Sequence, residues 1–211
     1  MNYIENIFIC ITAPLLIAVF CLHGSRRRML LFLLAGMMAC LLSSYISTFL
    51  AVVKGADNIA ASVEIAPMVE ETMKLFPVLF YLLIFEPARE EIAGSILMIA
   101  IGFATFENIC FLTANGAAEF SQLLIRGFGT GAAHVVCGII TAMGLLYLWE
   151  RLWLRIAGTV GLLALAITYH AVYNLLISQH GIVSRIGFLI PIATIFSNLV
   201  FGGNLLRKLR F

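Results

Sequence analysis

The stretch SVEIAPMVEETMKLFPVLFYLLIF, residues 62–85, decides the fold. It is long enough to cross a bilayer, which takes about 20 apolar residues at 1.5 Å each. Around its middle it nevertheless carries Glu70, Glu71 and Lys74. An ionisable residue at the centre of a membrane helix costs roughly 2.5–3.5 kcal/mol on insertion scales. A helix with three of them has to be wrapped by other helices, and such residues mark a functional site by default.

The rest of the chain supplies the wrapping. Of its 211 residues 62% are hydrophobic and only 11% charged, with mean hydropathy +1.05. Soluble domains are typically about 25% charged, so the composition is that of a polytopic membrane protein. Seven apolar windows qualify as spans: Ile4–Leu22, Leu30–Val53, Ser62–Phe85, Ile92–Ala114, Gly127–Trp149, Ile156–Ser178 and Ile186–Leu205. Their connections are short, and no repeat or low-complexity tract is present. The expectation is all-α: one polytopic transmembrane bundle over residues 1–211, with a four-helix core over 62–178. The N-terminus lacks a basic n-region and a small-residue cleavage site, so it reads as a retained first span.

Charge orients the bundle. The first, third and fifth connections and the C-terminal tail carry nine Lys and Arg residues, against three on the other side. The positive-inside bias then predicts a cytoplasmic C-terminus and, with seven spans, an extracytoplasmic N-terminus. Arg26–Arg28 is a topology signal. A net charge of +2 with no longer basic run gives no sign of a nucleic-acid partner, and none is expected. The five cysteines lie in apolar segments without a CxxC spacing and read as small buried residues. Trp149 and Trp153 read as an interfacial anchor. Gly127, Gly129 and Gly131 follow no strand and precede no Lys-Ser/Thr, so they predict close helix packing and not a phosphate loop. Glu86, Arg89, Glu90 and Glu91 read as a solvated turn, and His23 and His180 as surface residues.

Antiparallel helices allow depths to be compared. Glu70, Glu107, His134 and His170 each lie seven or eight residues from the same membrane face, roughly 10–12 Å below the rim. Lys74 stands one turn from both Glu70 and Glu71 and can neutralise one of them. His170 and Asn174 share a helical face. Three carboxylates near one ammonium cannot all ionise cheaply, which suits one of them to proton transfer near neutral pH.

The strings APMVEETMK (66–74), GFATFEN (102–108), Arg126 followed by His134, and HAVYN (170–174) resemble the ordered motifs of the PrsW family. Those proteins are glutamic-type intramembrane endopeptidases, related to the CAAX prenyl endopeptidases. The CAAX branch shows EExxxR and an FxxxH second motif. Here Lys74 comes one position earlier and Glu107 stands where that branch has His, so the chain looks more like PrsW. The resemblance implies a peptidase needing no metal or other cofactor. Glu70 or Glu71 would activate water, with Glu70 favoured, and Lys74 would be the counter-ion. Glu107 and His134 would position water or shuttle a proton, and His170 with Asn174 would stabilise the oxyanion. The implied partner is a membrane-anchored, anti-sigma-factor-like protein in the bilayer of a bacterial cell membrane.

Other readings use the same residues. Glu and His at one depth can ligate zinc in a metal-dependent peptidase of the CAAX type, since a catalytic zinc needs only three protein ligands. A proton-coupled transporter would use them as a relay, although neither an inverted repeat nor paired broken helices is present. A catalytically idle scaffold is the last.

Overall fold

The computed structural model describes residues 4–116, 120–148 and 152–200. These form α1 (Ile4–Cys21), α2 (Gly24–Lys54), a short turn α3 (Asn58–Ala60), a π-helical segment (Ala61–Ile65), α4 (Ala66–Phe85), α5 (Arg89–Asn115), α6 (Phe120–Leu148), α7 (Leu152–Ile177) and α8 (Ile182–Val200). The protein is an all-α polytopic membrane bundle. Five helices, α1, α2, α5, α6 and α7, are long and apolar enough to cross a membrane. Helix α4 has the length, and its charges are covered by neighbours; the apolar part of α8, Ile182–Ser197, is shorter. Phe20, Phe49, Phe80, Leu83, Ile156 and Phe196 are all exposed on the outside. That inverts the soluble pattern and is what a lipid-facing surface requires.

The bundle is built on the α2–α5 contact. Gly36 lies against the backbone of Ile99, and Gly102 against that of Leu33: a Cβ on Gly102 would fall 2.0 Å from the Leu33 carbonyl oxygen. Small residues let two membrane helices approach closely, and van der Waals packing then holds them. Around this seam Met37, Cys40, Phe103 and Phe106 form one buried cluster with Phe8 of α1, whose ring meets Phe106 edge-on at 5.1 Å. A second cluster of Leu75, Val78, Ile96, Ile99 and Leu145 joins α4, α5 and α6.

Helices reach further into the connections than the apolar windows predict. Residues 120–126, expected in a loop, are the first two turns of α6, which puts Arg126 on a helix. The entry to α4 begins at Asp57, whose side chain accepts from the Ala60 N–H at 2.7 Å. That is an ordinary N-cap. Glu91 is not a solvated turn residue: it pairs with Arg28 at 2.7 Å and accepts from the Tyr81 hydroxyl at 3.0 Å, so Arg28 also clamps α2 to α5. Of Gly127, Gly129 and Gly131, only Gly129 meets a neighbour, Phe188 of α8; Gly127 and Gly131 face open space. Trp153 is exposed, while Trp149, Arg151 and the tail from residue 201 lie outside the described residues.

The π segment leaves one backbone acceptor open. The Ala66 N–H donates to Ala61 five residues back. In that register the Ser62 carbonyl should accept from residue 67, but Pro67 has no N–H to give. The side-chain amide of Asn174 on α7 donates to it instead, at 2.9 Å.

Gly102→Val should destabilise by about 3 kcal/mol or more, because backbone must move to admit the side chain. Gly127→Ala, with nothing in the way, should be neutral or stabilising by up to about 1 kcal/mol. Thermal unfolding of both variants in one detergent checks the contrast.

Candidate active site

Lys74 is the centre of the site. Its ammonium lies 2.5 Å from Glu71 Oε1, 3.0 Å from His134 Nδ1 and 4.6 Å over the ring of Phe103. Lys74, Glu71, His134 and His170 are all buried. The contacts extend in both directions. His170 Nδ1 lies 2.7 Å from the same Glu71 oxygen. His134 Nε2 lies 2.5 Å from Glu107 Oε2, and the other Glu107 oxygen takes Arg126 Nη2 at 3.2 Å. The guanidinium of Arg126 rests on Phe111, one turn beyond Glu107, at 3.7 Å. One continuous polar chain therefore runs His170–Glu71–Lys74–His134–Glu107–Arg126 across α4, α5, α6 and α7. Among the described residues, α1, α2 and α8 add no ionisable group to it.

The partners assign the tautomers. An ammonium can only donate, so His134 Nδ1 accepts from Lys74, and its Nε2–H must donate to Glu107. His170 donates Nδ1–H to Glu71, so in the neutral ring Nε2 carries the lone pair. That lone pair faces Glu70 Oε2 at 3.7 Å. Glu70 Oε2 is buried and has no hydrogen-bond partner. The two cations, Lys74 and Arg126, match Glu71 and Glu107. Glu70 is the carboxylate with no cation left for it.

The sequence-predicted residues thus separate. Glu70, Glu71, Lys74, Glu107, His134 and His170 come together, and the two imidazoles meet edge to face at 5.0 Å. Asn174 lies one turn beyond His170 but commits an N–H to Ser62. This contact ties α7 to the entry of α4 and gives no support to an oxyanion role. Sequence reasoning missed Phe103, which supports Lys74 and stacks near His134 at 5.0 Å. It also gave no role to Arg126. The signal was available for both: Phe103 stands one turn before Glu107 on its helix, and Arg126 about two turns before His134.

A metal ion can be tested against these donors. Ligand atoms of Glu70, His134 and His170 all lie within 4.8 Å of one another. Glu and two His are a donor set found in catalytic zinc sites. Glu70 Oε2 and His170 Nε2 are free to bind, and the Glu71–His170 contact is the outer-shell carboxylate that metal-bound histidines usually have. His134 fits less well. Both its nitrogens are engaged, and binding through Nε2 would leave Nδ1–H pointing at an ammonium that cannot accept it.

A bundle of this kind, holding carboxylates and imidazoles in hydrogen-bonded register at membrane depth, has the equipment of a membrane-embedded hydrolase. A family model described as PrsW family intramembrane metalloprotease matches residues 24–200, and the chain belongs to that family. It is an intramembrane protease. No curated protein and no solved structure matches the chain.

Lys74→Met should cost roughly 3 kcal/mol or more, since it leaves Glu71 buried without its cation. Glu70→Gln removes an unmatched charge and should cost far less. Unfolding temperatures in detergent compare the two, and a lower melting point for the Gln variant would contradict the counter-ion assignment.

Proposed function

We propose that the protein cuts a peptide bond of a membrane-anchored substrate using a water activated by Glu70 and His170. The single observation that carries this is the pair of unspent acceptors, Glu70 Oε2 and His170 Nε2, facing each other at 3.7 Å. Every other polar side chain of the chain described above is committed to a neighbour. A water held between these two loses a proton to Glu70 as its oxygen adds to the substrate carbonyl. Glu70 then returns the proton to the amine nitrogen as the C–N bond breaks, so atoms and charge balance. Glu71 fixes the His170 ring and is a positioning residue, as is Lys74. The N–H of His134 is the nearest preorganised donor for the oxyanion once the carbonyl displaces Glu107 from it. Asn174 holds the helix entry that carries Glu70.

The family description favours a second reading, in which Glu70, His170 and His134 would hold a metal ion. The ion would polarise the carbonyl and acidify its bound water. His134 would then have to exchange its present partners, and for that reason we favour the glutamate reading.

Residues 62–178 form the catalytic core in this proposal. The exposure of the cluster rises towards the ends of α5 and α6, from 3% for the Glu71 side chain to 28% for Glu107. Substrate enters from that side. The charge bias makes it extracytoplasmic, with the C-terminus in the cytoplasm of a bacterial cell. A single-span anti-sigma-factor-like protein fits this access.

Glu70→Gln should abolish cleavage, at least about 100-fold, with insertion and melting behaviour retained, while His134→Ala should abolish it with insertion retained but a lower melting temperature, since Lys74 and Glu107 each lose a buried partner. A screen for membrane-protein fragments that need intact Glu70 supplies the substrate. Full turnover by either variant removes that residue from the mechanism. Activity that persists in a strong chelator, in protein free of zinc by elemental analysis, supports the glutamate reading; loss restored by zinc supports the metal.

A further inference from the structure

We propose that the cavity at the common end of α5, α6, α7 and α8 is a subsite for an acidic peptide segment, the stretch of substrate immediately outside its membrane span. This rests on the peptidase reading and names the chemistry its substrate carries next to the cut.

The cavity holds about 870 Å³, within the range of roughly 300–1,000 Å³ of ligand pockets. Arg126 and Arg185 line it together with His180, and among the described residues no carboxylate does. Asn115, Gln122 and Gln179 add amides. An amide offers both donors and acceptors, which match the alternating N–H and C=O groups of an extended peptide. A phosphate headgroup would call for donors alone.

Arg126 links the cavity to the reaction. One arm of its guanidinium reaches Glu107, while Nε is buried without a partner. Phe111 holds the group flat, so its remaining donors present a fixed edge to a carboxylate, the geometry Arg binds best. Carboxylates are excluded from a substrate's span by cost but tolerated just beyond it, and the cavity sits at the helix ends, where that portion would lie. A carboxylate on Arg126 also competes with Glu107 for it.

The test uses the full chain with Glu70→Gln, in nanodiscs of phosphatidylcholine, and fluorescent peptides read by anisotropy. An Asp-Ser-Asp-Ser-Asp peptide should bind about tenfold or more tighter than its Asn-Ser-Asn-Ser-Asn counterpart. Arg185→Gln should remove most of that preference with the melting temperature unchanged, and Arg185→Glu should transfer it to a Lys-Ser-Lys-Ser-Lys peptide. Equal binding of acidic and amide peptides overturns the proposal. So does displacement of the acidic peptide from the phosphatidylcholine nanodiscs by soluble glycerol 3-phosphate at equal or lower concentration, which would assign the cavity to a lipid headgroup. Residual cleavage by the Glu70→Gln protein would sink the role of Glu70 and leave this binding preference standing, so the two failures are distinguishable.

Discussion

An ammonium buried in a helical bundle must be surrounded by acceptors, and the surroundings of Lys74 organise everything else. Glu71, one turn away on α4, neutralises it; His134 from α6 accepts from it; Phe103 from α5 offers a ring face. Each contact recruits a different helix, so the cation fixes three helices against one another at one depth. It also fixes protons. Because Lys74 cannot accept, His134 has a single tautomer, and that tautomer aims an N–H at Glu107. Because Glu71 serves both Lys74 and His170, the His170 ring turns its free lone pair towards Glu70. A charge spent on packing thereby decides which way the lone pairs of its neighbours point.

The chain of contacts is close to neutral along its length, and this explains how it survives in a membrane. Burying an ion pair costs desolvation that its attraction repays only with good geometry and further hydrogen bonds. Here every carboxylate with a cation has at least one imidazole or guanidinium contact as well. Glu70 stands outside the arrangement. Its position next to Glu71 in the chain puts it about 100° around the helix, facing His170 from another side. Its Oε2 is buried without a hydrogen-bond partner, so among the carboxylates of the cluster it alone is not tied into the scaffold.

Much of this was legible in the sequence, for a physical reason. Insertion cost makes ionisable residues in apolar windows conspicuous, and antiparallel spans let their depths be compared; Glu70, Glu107, His134 and His170 emerge together from counting alone. What counting could not supply was direction. Periodicity does not distinguish which Glu faces Lys74 and which faces His170. The apolar windows stopped at Gly127 because Arg126 and Gln122 are polar, although helical hydrogen bonding continues through them to Phe120. Arg126 was thus treated as loop while its guanidinium is a partner of Glu107. Glu91 erred the same way: a charged run beside Pro87 reads as a turn unless Arg28 and Tyr81 are known to be near. The seam between Gly36 and Gly102 is a contact between distant segments, which neither glycine announces by itself.

Pro67 and Asn174 show how a local irregularity can be a structural requirement. The proline removes a donor just where the helix entering the site needs one, and the π register leaves the Ser62 carbonyl open. In lipid such a carbonyl must be satisfied by protein. Asn174, one turn from His170, satisfies it, so the helix bearing Glu70 is fastened to the helix bearing His170 close to where those two side chains face each other. The 3.7 Å between Glu70 and His170 is then set from both ends: by Glu71 through the imidazole ring, and by Asn174 through the backbone. Misplacement by 1 Å is enough to lose a hydrolytic geometry, and two independent fastenings are how a bundle held mainly by van der Waals packing keeps that tolerance.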